Sequence, residues 1–548
     1  MHTIPAVPTF PVLIVGAGPV GVTLANLLGT YGTPALVVER SLAIHDFPRA
    51  VGVDDEALRT FQTAGLAEEM VCDIIQNVPM RMYAANKRCF AEILPATREF
   101  GWFRRNLFSQ PLGEATLRAG LKRFPDISVQ LGMAVVGLAQ DATGVTATLV
   151  DESGRESQVR ASYVVACDGG RSTVRDLLRL PFEGKTHPAK WVVIECDQDP
   201  LDAPFTALHC DPARPFVCLC LPYGLRRWEF MLFPGEDSEA MLAPAKVQEL
   251  LGRHVADASK LNVIRARVYT HNSRVAGSFV VGRICLAGDA AHITPPWIGQ
   301  GLNAGLRDAL NLAWKLSWIL QGRMKPALLA SYHEERHAHA RAMIDLADLF
   351  GAVLSQRNRL VAWLRDRLFL AIKDIPRMRD YVLQMKFKPM PRFTRGIVRN
   401  TGDQLRDDIV GRMFIQPNME EARGQVRRLD DILGPHFALI SWRSDALAGA
   451  TPELLRKLDQ LDCVHFIAVR SHHGEAGVGS GLPARHGGIV LQDVENTLHQ
   501  WFQARDIDWV LIRPDHFIAA VGTRQNALAQ LQDFCDTVLA APMPAHAG

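Results

Sequence analysis

The chain begins with a strand–turn–helix–strand pattern that constrains its fold more than any other feature. An apolar run at residues 12–15 predicts a buried strand, which leads into the turn Gly16-Ala17-Gly18-Pro19-Val20-Gly21. The following residues predict a helix through Leu28 and a second strand at 35–38 that ends at Glu39. A Gly-x-Gly-x-x-Gly turn in this setting, with an acid about twenty residues further on, is typical of a dinucleotide site in an α/β fold with a parallel sheet.

Each residue of this motif has a predicted role. Gly16 makes the tight turn, Gly18 lets the backbone approach a pyrophosphate, and Gly21 lets the helix pack closely on the strand. Glu39 is predicted to accept hydrogen bonds from an adenosine ribose. The motif alone does not separate FAD from NAD. The predicted cofactor-binding residues also include the neighbouring Pro19 and Arg40.

Length, charge and hydropathy exclude several classes of protein. A chain of 548 residues is too long for one core and predicts about three or four domains. The 60 Lys and Arg residues nearly balance the 58 Asp and Glu residues, so the charge does not indicate a nucleic-acid partner. The N-terminus lacks the basic segment of a secretory signal, and the most apolar predicted helix, at 311–320, contains Lys315. We therefore expect no membrane span and a cytoplasmic location.

The cysteines point to the same compartment. The sequence has 10 of them, scattered along the chain and without a Cys-x-x-Cys pair. Most stand in apolar, strand-like surroundings, as Cys218 and Cys220 do at the spacing of neighbours on one strand face. This pattern favours buried, reduced thiols over a redox or metal-binding pair, and no metal site is predicted.

Two later segments repeat the pattern of an apolar strand followed by a polar turn. Residues 163–167 form one such strand, which ends at Asp168-Gly169. Residues 283–287 form the other, which ends at Gly288-Asp289 and continues through a glycine-rich loop into a helix predicted from about 303 to 321. Turns at the carboxyl edge of a parallel sheet lie where ligands bind. The helix start offers free N–H groups and a positive dipole end, which suit the negative charge of a reduced flavin.

The remaining segments have other patterns. Short strand signals bounded by Pro and Gly over 182–274 predict a mostly antiparallel layer that covers a substrate site. The predicted domains are 1–180, the first part of a nucleotide-binding domain, with 80–103 contributing to the substrate layer; 181–274, the substrate domain; 275–400, the second part of the nucleotide-binding domain with its helices; and 401–548, a separate C-terminal domain.

Taken in order, the three turn motifs resemble those of the FAD-dependent aromatic hydroxylases of the para-hydroxybenzoate and phenol hydroxylase type. The likeness covers about residues 10 to 400. Longer tracts, at 48–60, 181–186, 267–272 and 385–391, resemble the branch of this family that hydroxylates 3-(3-hydroxyphenyl)propionate and 3-hydroxycinnamate. The resemblance implies a Rossmann-like FAD domain, FAD and NADH as cofactors, O2 as co-substrate, and ortho-hydroxylation of a small phenolic acid to a catechol.

The resemblance also implies further site residues. Arg49 and Gln110 would contact FAD, as would Asp289, and Asp168 would serve both FAD and the nicotinamide donor. From the residues alone, Gln110 has the alternative role of a helix cap. The loop from Gly299 to Asn303, with Gly301 and Leu302, would face the isoalloxazine, and Gly288 and Pro296 are further predicted cofactor-binding residues.

One departure from the family pattern leaves the general base open. Phenol hydroxylases carry an acid inside the Arg-Ala-x-Gly turn, where this chain has Val51. The candidates for the base are Asp54, Asp55, Tyr269 and His271, although either aspartate is also placed to cap a helix. The candidate cations for a substrate carboxylate are Arg214, Arg226 and Arg227, whose alternative role is a structural ion pair.

The C-terminal region resembles the thioredoxin-like tail of phenol hydroxylases. Because it lacks Cys-x-x-Cys, we expect it to act in packing or in a homodimer rather than in redox chemistry. Two rival interpretations remain. One is another flavoenzyme on the same fold, including a hydroxylase of a different phenol; the other is a non-catalytic FAD-binding scaffold.

Overall fold

The computed structural model describes residues 7–47, 49–421, 424–442, 445–470 and 488–541. Pro48, in the tract that supports the family resemblance, and parts of the predicted C-terminal domain lie outside these ranges. The strands are β1 Thr9–Val15, β2 Ala35–Glu39, β3 Gly52–Val53, β4 Ile74–Gln76, β5 Met80–Tyr83, β6 Cys89–Ile93, β7 Asn106–Phe108, β8 Ile127–Leu131, β9 Met133–Gln140, β10 Val145–Asp151, β11 Glu156–Ala166, β12 Phe182–Asp197, β13 Thr206–His209, β14 Phe216–Cys220, β15 Arg226–Met231, β16 Asn262–Ala276, β17 Val280–Val281, β18 Ile284–Leu286, β19 His292–Ile293, β20 Asn418–Glu420, β21 Val426–Arg428, β22 Phe437–Trp442, β23 Cys463–Arg470, β24 Ile489–Asp493, β25 Trp509–Ile512 and β26 Ile518–Gly522. The α-helices are α1 Pro19–Thr30, α2 Asp55–Thr63, α3 Ala67–Val71, α4 Gln110–Gly120, α5 Thr173–Leu177, α6 Pro244–Gly252, α7 Gly301–Leu320, α8 Ala330–Leu354, α9 Arg359–Ile372, α10 Pro376–Leu383, α11 Gln404–Asp407, α12 Leu429–Leu433, α13 Pro452–Leu461, α14 Thr497–Gln503 and α15 Ala527–Val538.

The N-terminal sheet has the strand order β17-β18-β11-β1-β2-β8, with β10 and β9 attached through β11. The four central pairings, β18 to β11, β11 to β1, β1 to β2 and β2 to β8, are all parallel. The apolar residues of β1 and β2 are almost wholly buried, as expected for a sheet covered by helices on its faces. The predicted α/β fold is therefore confirmed. The strand predicted at 163–167 is the last part of the longer strand β11, which ends at Ala166.

The middle sheet has the order β19-β16-β12-β15-β14-β13-β5-β6, and all its pairings are antiparallel except that of β13 with β5. One face carries Val192, Ile194 and Phe230, which pack against Leu250 and Leu251 of α6. The opposite face meets loops of the N-terminal domain: the rings of Trp191 and Trp297 lie 5.0 Å apart, edge to face. The sheet therefore has one structural face and one face turned toward the carboxyl edge of the N-terminal sheet.

The C-terminal sheet has the order β21-β20-β24-β23-β22-β25-β26. Strands β22, β23 and β24 run parallel, and β25 is antiparallel to both of its neighbours. The strands β20 and β21 have three residues each, and β24 ends in the polar residues Gln492 and Asp493. The thioredoxin-like assignment of this domain stays a prediction.

The parallel pairing brings the three sequence motifs together. Strands β1, β11 and β18 are neighbours and end at Val15, Ala166 and Leu286, directly before the turns at Gly16, Asp168 and Gly288. A Cβ atom placed on Gly16 would lie 2.5 Å from the Cys167 carbonyl oxygen. Segments separated by more than a hundred residues therefore form one continuous edge.

Candidate flavin and substrate site

The glycine turn has the close contacts that its spacing predicts. Gly16 has φ +104°, a conformation that favours glycine, and a Cβ atom on Gly21 would lie 2.0 Å from the Gly16 carbonyl oxygen. A Cβ atom on Gly18, in contrast, would meet no protein atom within 4 Å. Gly16 and Gly21 are therefore required by the protein's own packing, whereas Gly18 leaves open space beside the first turn of α1.

The acid after β2 holds this turn in place. Glu39 accepts hydrogen bonds from the Ala17 N–H at 2.8 Å and the Ser41 N–H at 2.9 Å, one on each carboxylate oxygen. Each oxygen keeps further acceptor capacity for hydroxyl groups. Arg40 beside it is exposed, and Pro19 is the first residue of α1. No side chain caps the α1 N-terminus, so its N–H groups face the open space at Gly18 and fit a pyrophosphate.

The residues predicted to extend this site form a second loop. The Gln110 Oε1 atom accepts the Arg49 N–H at 2.9 Å and the Ala50 N–H at 2.8 Å. Gln110 thus holds the backbone that presents Arg49, whose guanidinium lies 5.9 Å from the Phe47 ring. The sequence had offered cofactor contact or helix capping for Gln110, and this loop contact is a role that neither described.

The second motif is internally hydrogen-bonded. Asp168 accepts the Ser172 hydroxyl at 2.6 Å and the Val174 N–H at 3.1 Å. Burial raises the pKa of Asp168, and these hydrogen bonds oppose the rise. Arg175, on the following helix turn, donates to the Ala290 carbonyl at 3.1 Å. The second motif therefore ties directly to the third.

The third motif is anchored by α7. The Asp308 Oδ2 atom accepts the Gly288 N–H at 3.0 Å and contacts the His292 Nε2 atom at 2.6 Å, and its Oδ1 atom accepts Arg336 Nε at 2.8 Å. His292 and Asp308 are both fully buried and face each other across the loop. Asp289, between Gly288 and His292 in sequence, is half-buried, and burial raises its pKa.

The N-terminus of α7 is open. Gly299 has φ +63°, and the Gln300 side chain at the cap position accepts no backbone N–H of the helix; its Oε1 atom accepts the Arg307 side chain instead. Asn303 donates to the Gly299 carbonyl at 2.7 Å and accepts the Asp54 N–H at 3.1 Å, which joins the loop to α2. The free N–H groups of this helix start suit the negatively charged end of a reduced flavin. Pro296, Gly301 and Leu302 belong to the same loop and first turn.

A buried charge cluster lies behind this loop. Asp54 caps α2 through Ala57, and it also pairs with Arg307 and Lys388, as does Glu56. Burial opposes ionisation of Asp54 and Glu56, but the two cations outweigh it and hold both pKa values below their usual range. The capping role proposed as the alternative for Asp54 is therefore observed. Sequence reasoning missed Arg307 and Lys388. A basic residue inside the apolar stripe of α7 was the available signal for Arg307, whereas Lys388 lies in an irregular segment after α10 without such a signal.

The third acid of this cluster is different. Asp55 is buried, and one of its oxygens has no hydrogen-bond donor; the Arg104 Nε atom lies 3.7 Å away. Burial raises the pKa of Asp55 to about 7, with the neighbouring acids Asp54 and Glu56 contributing. The three acids come within 4.8 Å of one another, but Arg307 and Lys388 already neutralise two of them.

Tyr269 and His271 lie on the face of the middle sheet that meets the N-terminal domain. His271 stacks on Trp191 at 5.7 Å between ring centroids and meets the edge of Trp297 at 6.0 Å. Burial lowers the pKa of His271 to about 4, so the ring is neutral at pH 7. Burial raises the pKa of Tyr269, which is half-buried. Val51 is partly buried and packs against an apolar cluster on neighbouring strands.

The three candidate arginines occupy different places. Arg227 lies on the same sheet face and contacts Glu229 at 2.8 Å and Glu195 at 3.5 Å. Arg226 pairs with Asp199 on the opposite face, and Arg214 binds Glu236 beside the Phe233 ring. The structural ion pairs foreseen as the alternative are thus present for all three.

Comparison with known proteins agrees with these motifs. A family model described as an FAD binding domain matches residues 9–347, and one described as the HcaD C-terminal domain matches 411–537. The 3-(3-hydroxy-phenyl)propionate/3-hydroxycinnamic acid hydroxylase 2 of Burkholderia vietnamiensis is 52% identical over 93% of each chain. A Comamonas testosteroni enzyme with the same name apart from the final number is 40% identical over 97% of this chain and 98% of its own.

Solved structures share the fold. The flavin-dependent monooxygenase PieE, in complex with FAD and substrate, aligns with a TM-score of 0.80 at 22% identity, covering 96% of this chain and 98% of its own. Aklavinone-11 hydroxylase, in a ternary complex with FAD and aklavinone, aligns with a TM-score of 0.76 at 22% identity, covering 96% and 99%. Among the described residues, no helix combines the length and the apolar character needed to cross a bilayer. The motifs, the matched domain and the long, similar relatives agree, and the chain belongs to the family of FAD-dependent aromatic hydroxylases.

Proposed function

We propose that this enzyme hydroxylates 3-(3-hydroxyphenyl)propionate, and also 3-hydroxycinnamate, to the 2,3-dihydroxy catechol with NADH and O2. The observation that carries the proposal is the aromatic face of Trp191, Tyr269 and His271 opposite the open N-terminus of α7. The names of relatives 40% and 52% identical to this chain support the substrate. When bound, FAD supplies acceptance of hydride and activation of O2.

The nucleotide half of FAD is proposed to bind at Gly16, Gly18, Gly21 and Glu39, and its ring end at Gly299 to Asn303. The uncapped start of α1 and the space beside Gly18 support the first assignment. The uncapped start of α7 supports the second. Both are N-termini with free N–H groups, which stabilise a pyrophosphate at one end and a ring anion at the other. The residues proposed to complete the cradle are Pro19, Arg40, Arg49, Gln110, Asp168, Gly288, Asp289 and Pro296.

For the phenol, we infer direct contact with Tyr269 and His271. Both belong to the aromatic face, whereas Asp54 and Asp55 are buried behind the loop and Asp54 is held by Arg307 and Lys388. The Tyr269 hydroxyl is able to exchange a hydrogen bond with the phenol oxygen, and the neutral His271 ring is able to accept one. The rings of Trp191 and Trp297 around His271 would exclude water from the reacting atoms.

For the substrate carboxylate, we propose Arg227 in preference to Arg226 or Arg214. Its position on the aromatic face, two strands from Tyr269, supports this choice. A guanidinium binds a carboxylate in two parallel hydrogen bonds, which fixes the side chain of the substrate and so the ring carbon that reacts. Binding there requires Arg227 to share its donors between Glu229 or Glu195 and the substrate.

We also propose that the enzyme is a cytoplasmic homodimer that assembles through α9. This helix turns Arg365 inward, where it donates to the Cys210 carbonyl at 2.7 Å, and exposes Leu360, Leu364 and Leu368 by 66%, 53% and 60%. Val361 and Trp363 of the same helix are also exposed, and contiguous apolar surface of this kind is typical of interaction sites. An antiparallel second copy would bring Arg359, at the start of α9, near Asp374 just after its end.

The dimer is tested by light scattering of the holoenzyme and its Leu364→Glu variant. We expect a dimer that the variant converts to a monomer. A monomeric wild type, or binding of the wild type to anionic vesicles that the variant loses, contradicts the dimer and assigns the patch to another partner. Exposed Leu177→Glu on α5 is the matched control.

The substrate is tested with a panel of phenols scored by oxygen uptake and catechol formation. We expect 3-(3-hydroxyphenyl)propionate to stimulate NADH oxidation most and to give one catechol per NADH. If another phenol does both and this substrate does neither, the substrate assignment is wrong and the enzyme is a hydroxylase of that phenol. NADPH in place of NADH in the same assay tests the reductant.

A further inference from the structure

We propose that the C-terminal domain is a clamp that holds the flavin-facing helix α7 in position, with Arg513 as a positioning residue. The proposal rests on the proposed FAD site at the start of α7. We call Arg513, Asp515, Asp430 and His516 the C-terminal clamp. All four are buried, and each has partners outside its own domain or pairs with a residue that does.

Arg513 makes the central contact. Its guanidinium donates to both carboxylate oxygens of Glu335 on α8 at 2.8 Å, and to Asp515 at 2.9 and 2.5 Å. Its Cζ atom lies 5.2 Å from the centroid of the Trp314 ring on α7. The planar fork of an arginine makes such paired contacts, whereas the single ammonium of a lysine does not. The geometry is therefore specific for arginine.

Glu335 connects Arg513 to α7. It accepts Asn311 Nδ2 and Lys315 Nζ, both at 2.7 Å, and Asn311 also donates to Asp515 at 3.0 Å. Two cations and two anions thus form a neutral buried set between the C-terminal domain, α7 and α8. Asn311 lies ten residues after Gly301, which is about 15 Å along the helix from its open end.

The next residue of α8, Arg336, connects this helix to the flavin loop. Arg336 pairs with Asp308 of α7 at 2.8 Å, and the same aspartate holds the Gly288 N–H and His292. Because Glu335 and Arg336 are adjacent on one helix, a shift of Glu335 also moves the partner of Asp308. Through Glu335 and Arg336, Arg513 therefore influences the positions of both the α7 N-terminus and the Gly288 turn.

A second arm of the clamp holds α2. Arg59 pairs with Asp430 at 2.5 Å and donates to the Phe414 carbonyl, also at 2.5 Å. Thr63, one turn later, contacts His516 at 2.7 Å. Helix α2 starts after Asp54, whose N–H donates to Asn303 in the first turn of α7. The two arms therefore act on both helices whose starts face the flavin loop.

The experiment compares Arg513→Lys with wild type by hydrogen exchange of the full-length protein, without and with FAD. We expect amides in 301–308 and 288–292 to exchange at least fivefold faster in the variant. In the FAD-loaded enzyme we expect a shifted flavin absorption band and a severalfold larger fraction of NADH oxidised without catechol. Arg399→Lys, in an exposed pair with Asp533, is the matched control and should change none of these.

Asp515→Asn is the second variant, because it keeps the shape and loses one charge. If either variant folds and exchange in 301–308 equals that of wild type, the proposal is overturned. If neither folds, these residues are core rather than positioning residues, which also overturns it. The exchange measurement needs no substrate, so a wrong substrate assignment leaves it intact and appears instead as wild-type enzyme inactive on 3-(3-hydroxyphenyl)propionate.

Discussion

Arg307 on α7 donates from its Nε atom to Glu56 Oε2 on α2 at 2.7 Å, and both side chains are almost wholly buried. The pair joins α2 to α7, whose start forms the proposed ring end of the flavin site. Arg307 also contacts Asp54 and the Gln300 side chain. It therefore links Asp54, and Lys388 paired with Asp54, to the loop at Gln300. The charge cluster thus fixes the protein around the cofactor rather than presenting a free acid.

Replacing Arg307 with Gln should destabilise the protein strongly. Asp54 and Glu56 would share only Lys388, and removing one partner of a buried ion pair costs about 3–5 kcal/mol. We expect urea unfolding to show a loss of that size. Arg253→Gln, in the exposed pair with Glu249, should change the unfolding free energy little. Equal small losses in both variants would contradict the assigned importance of the cluster.

Asp55 should make stability fall with rising pH. Its pKa of about 7 is raised above the ordinary value, so between pH 4 and 7 the folded chain keeps a proton that the unfolded chain releases. Asp55→Asn should remove this decline and gain up to about 4 kcal/mol over wild type by pH 7. The lowered pKa of Asp54 contributes stability that is present above pH 4 and lost below it. Asp54→Asn should therefore lower the unfolding free energy above pH 4. Urea unfolding at several pH values measures both; a pH-independent effect of Asp55→Asn would refute the assignment.

Two glycines of the first turn should separate folding from FAD binding. Gly18→Ala adds a methyl group where no protein atom lies within 4 Å, so the unfolding free energy of the apoprotein should stay within about 0.5 kcal/mol of the wild-type value. FAD affinity should nevertheless fall at least about tenfold, because the methyl occupies the proposed pyrophosphate position. Gly21→Ala should destabilise the apoprotein itself by about 1–3 kcal/mol, since its Cβ would lie 2.0 Å from the Gly16 oxygen. Unchanged FAD titration of Gly18→Ala would show that FAD does not approach there.

Arg227→Gln should raise the KM for the acid substrate selectively. A charge-assisted hydrogen bond contributes about 1.5–3 kcal/mol, which corresponds to roughly a ten- to hundredfold change in KM. The KM for 3-ethylphenol, which has no carboxylate, should stay near that of wild type. Arg226→Gln, on the other face of the strand, should affect both phenols alike. A parallel rise for both phenols in Arg227→Gln would assign Arg227 a structural role.

Much of the fold was predictable from local pattern. The glycine spacing and the apolar runs around it identified β1, α1 and β2, because the positive φ of Gly16 and the contact of Gly21 with the Gly16 oxygen are properties of the turn itself. The motifs at Asp168 and Gly288 were recognised as strand ends for the same reason. The family resemblance and the FAD-binding assignment followed from these short segments and were confirmed. The exposed stripe of α9 could have been recognised from its leucine spacing but was not.

What the sequence determined by itself is the set of local turns and the order of strands and helices, since backbone conformation and hydrophobic period are properties of neighbouring residues. Only the tertiary structure decided which charges meet. Arg307 with Glu56, His292 with Asp308, and Arg513 with Glu335 are pairs from distant segments, or from facing elements, whose distances depend on how sheets and helices pack. A buried charge is stable only with a partner, and no local pattern names that partner.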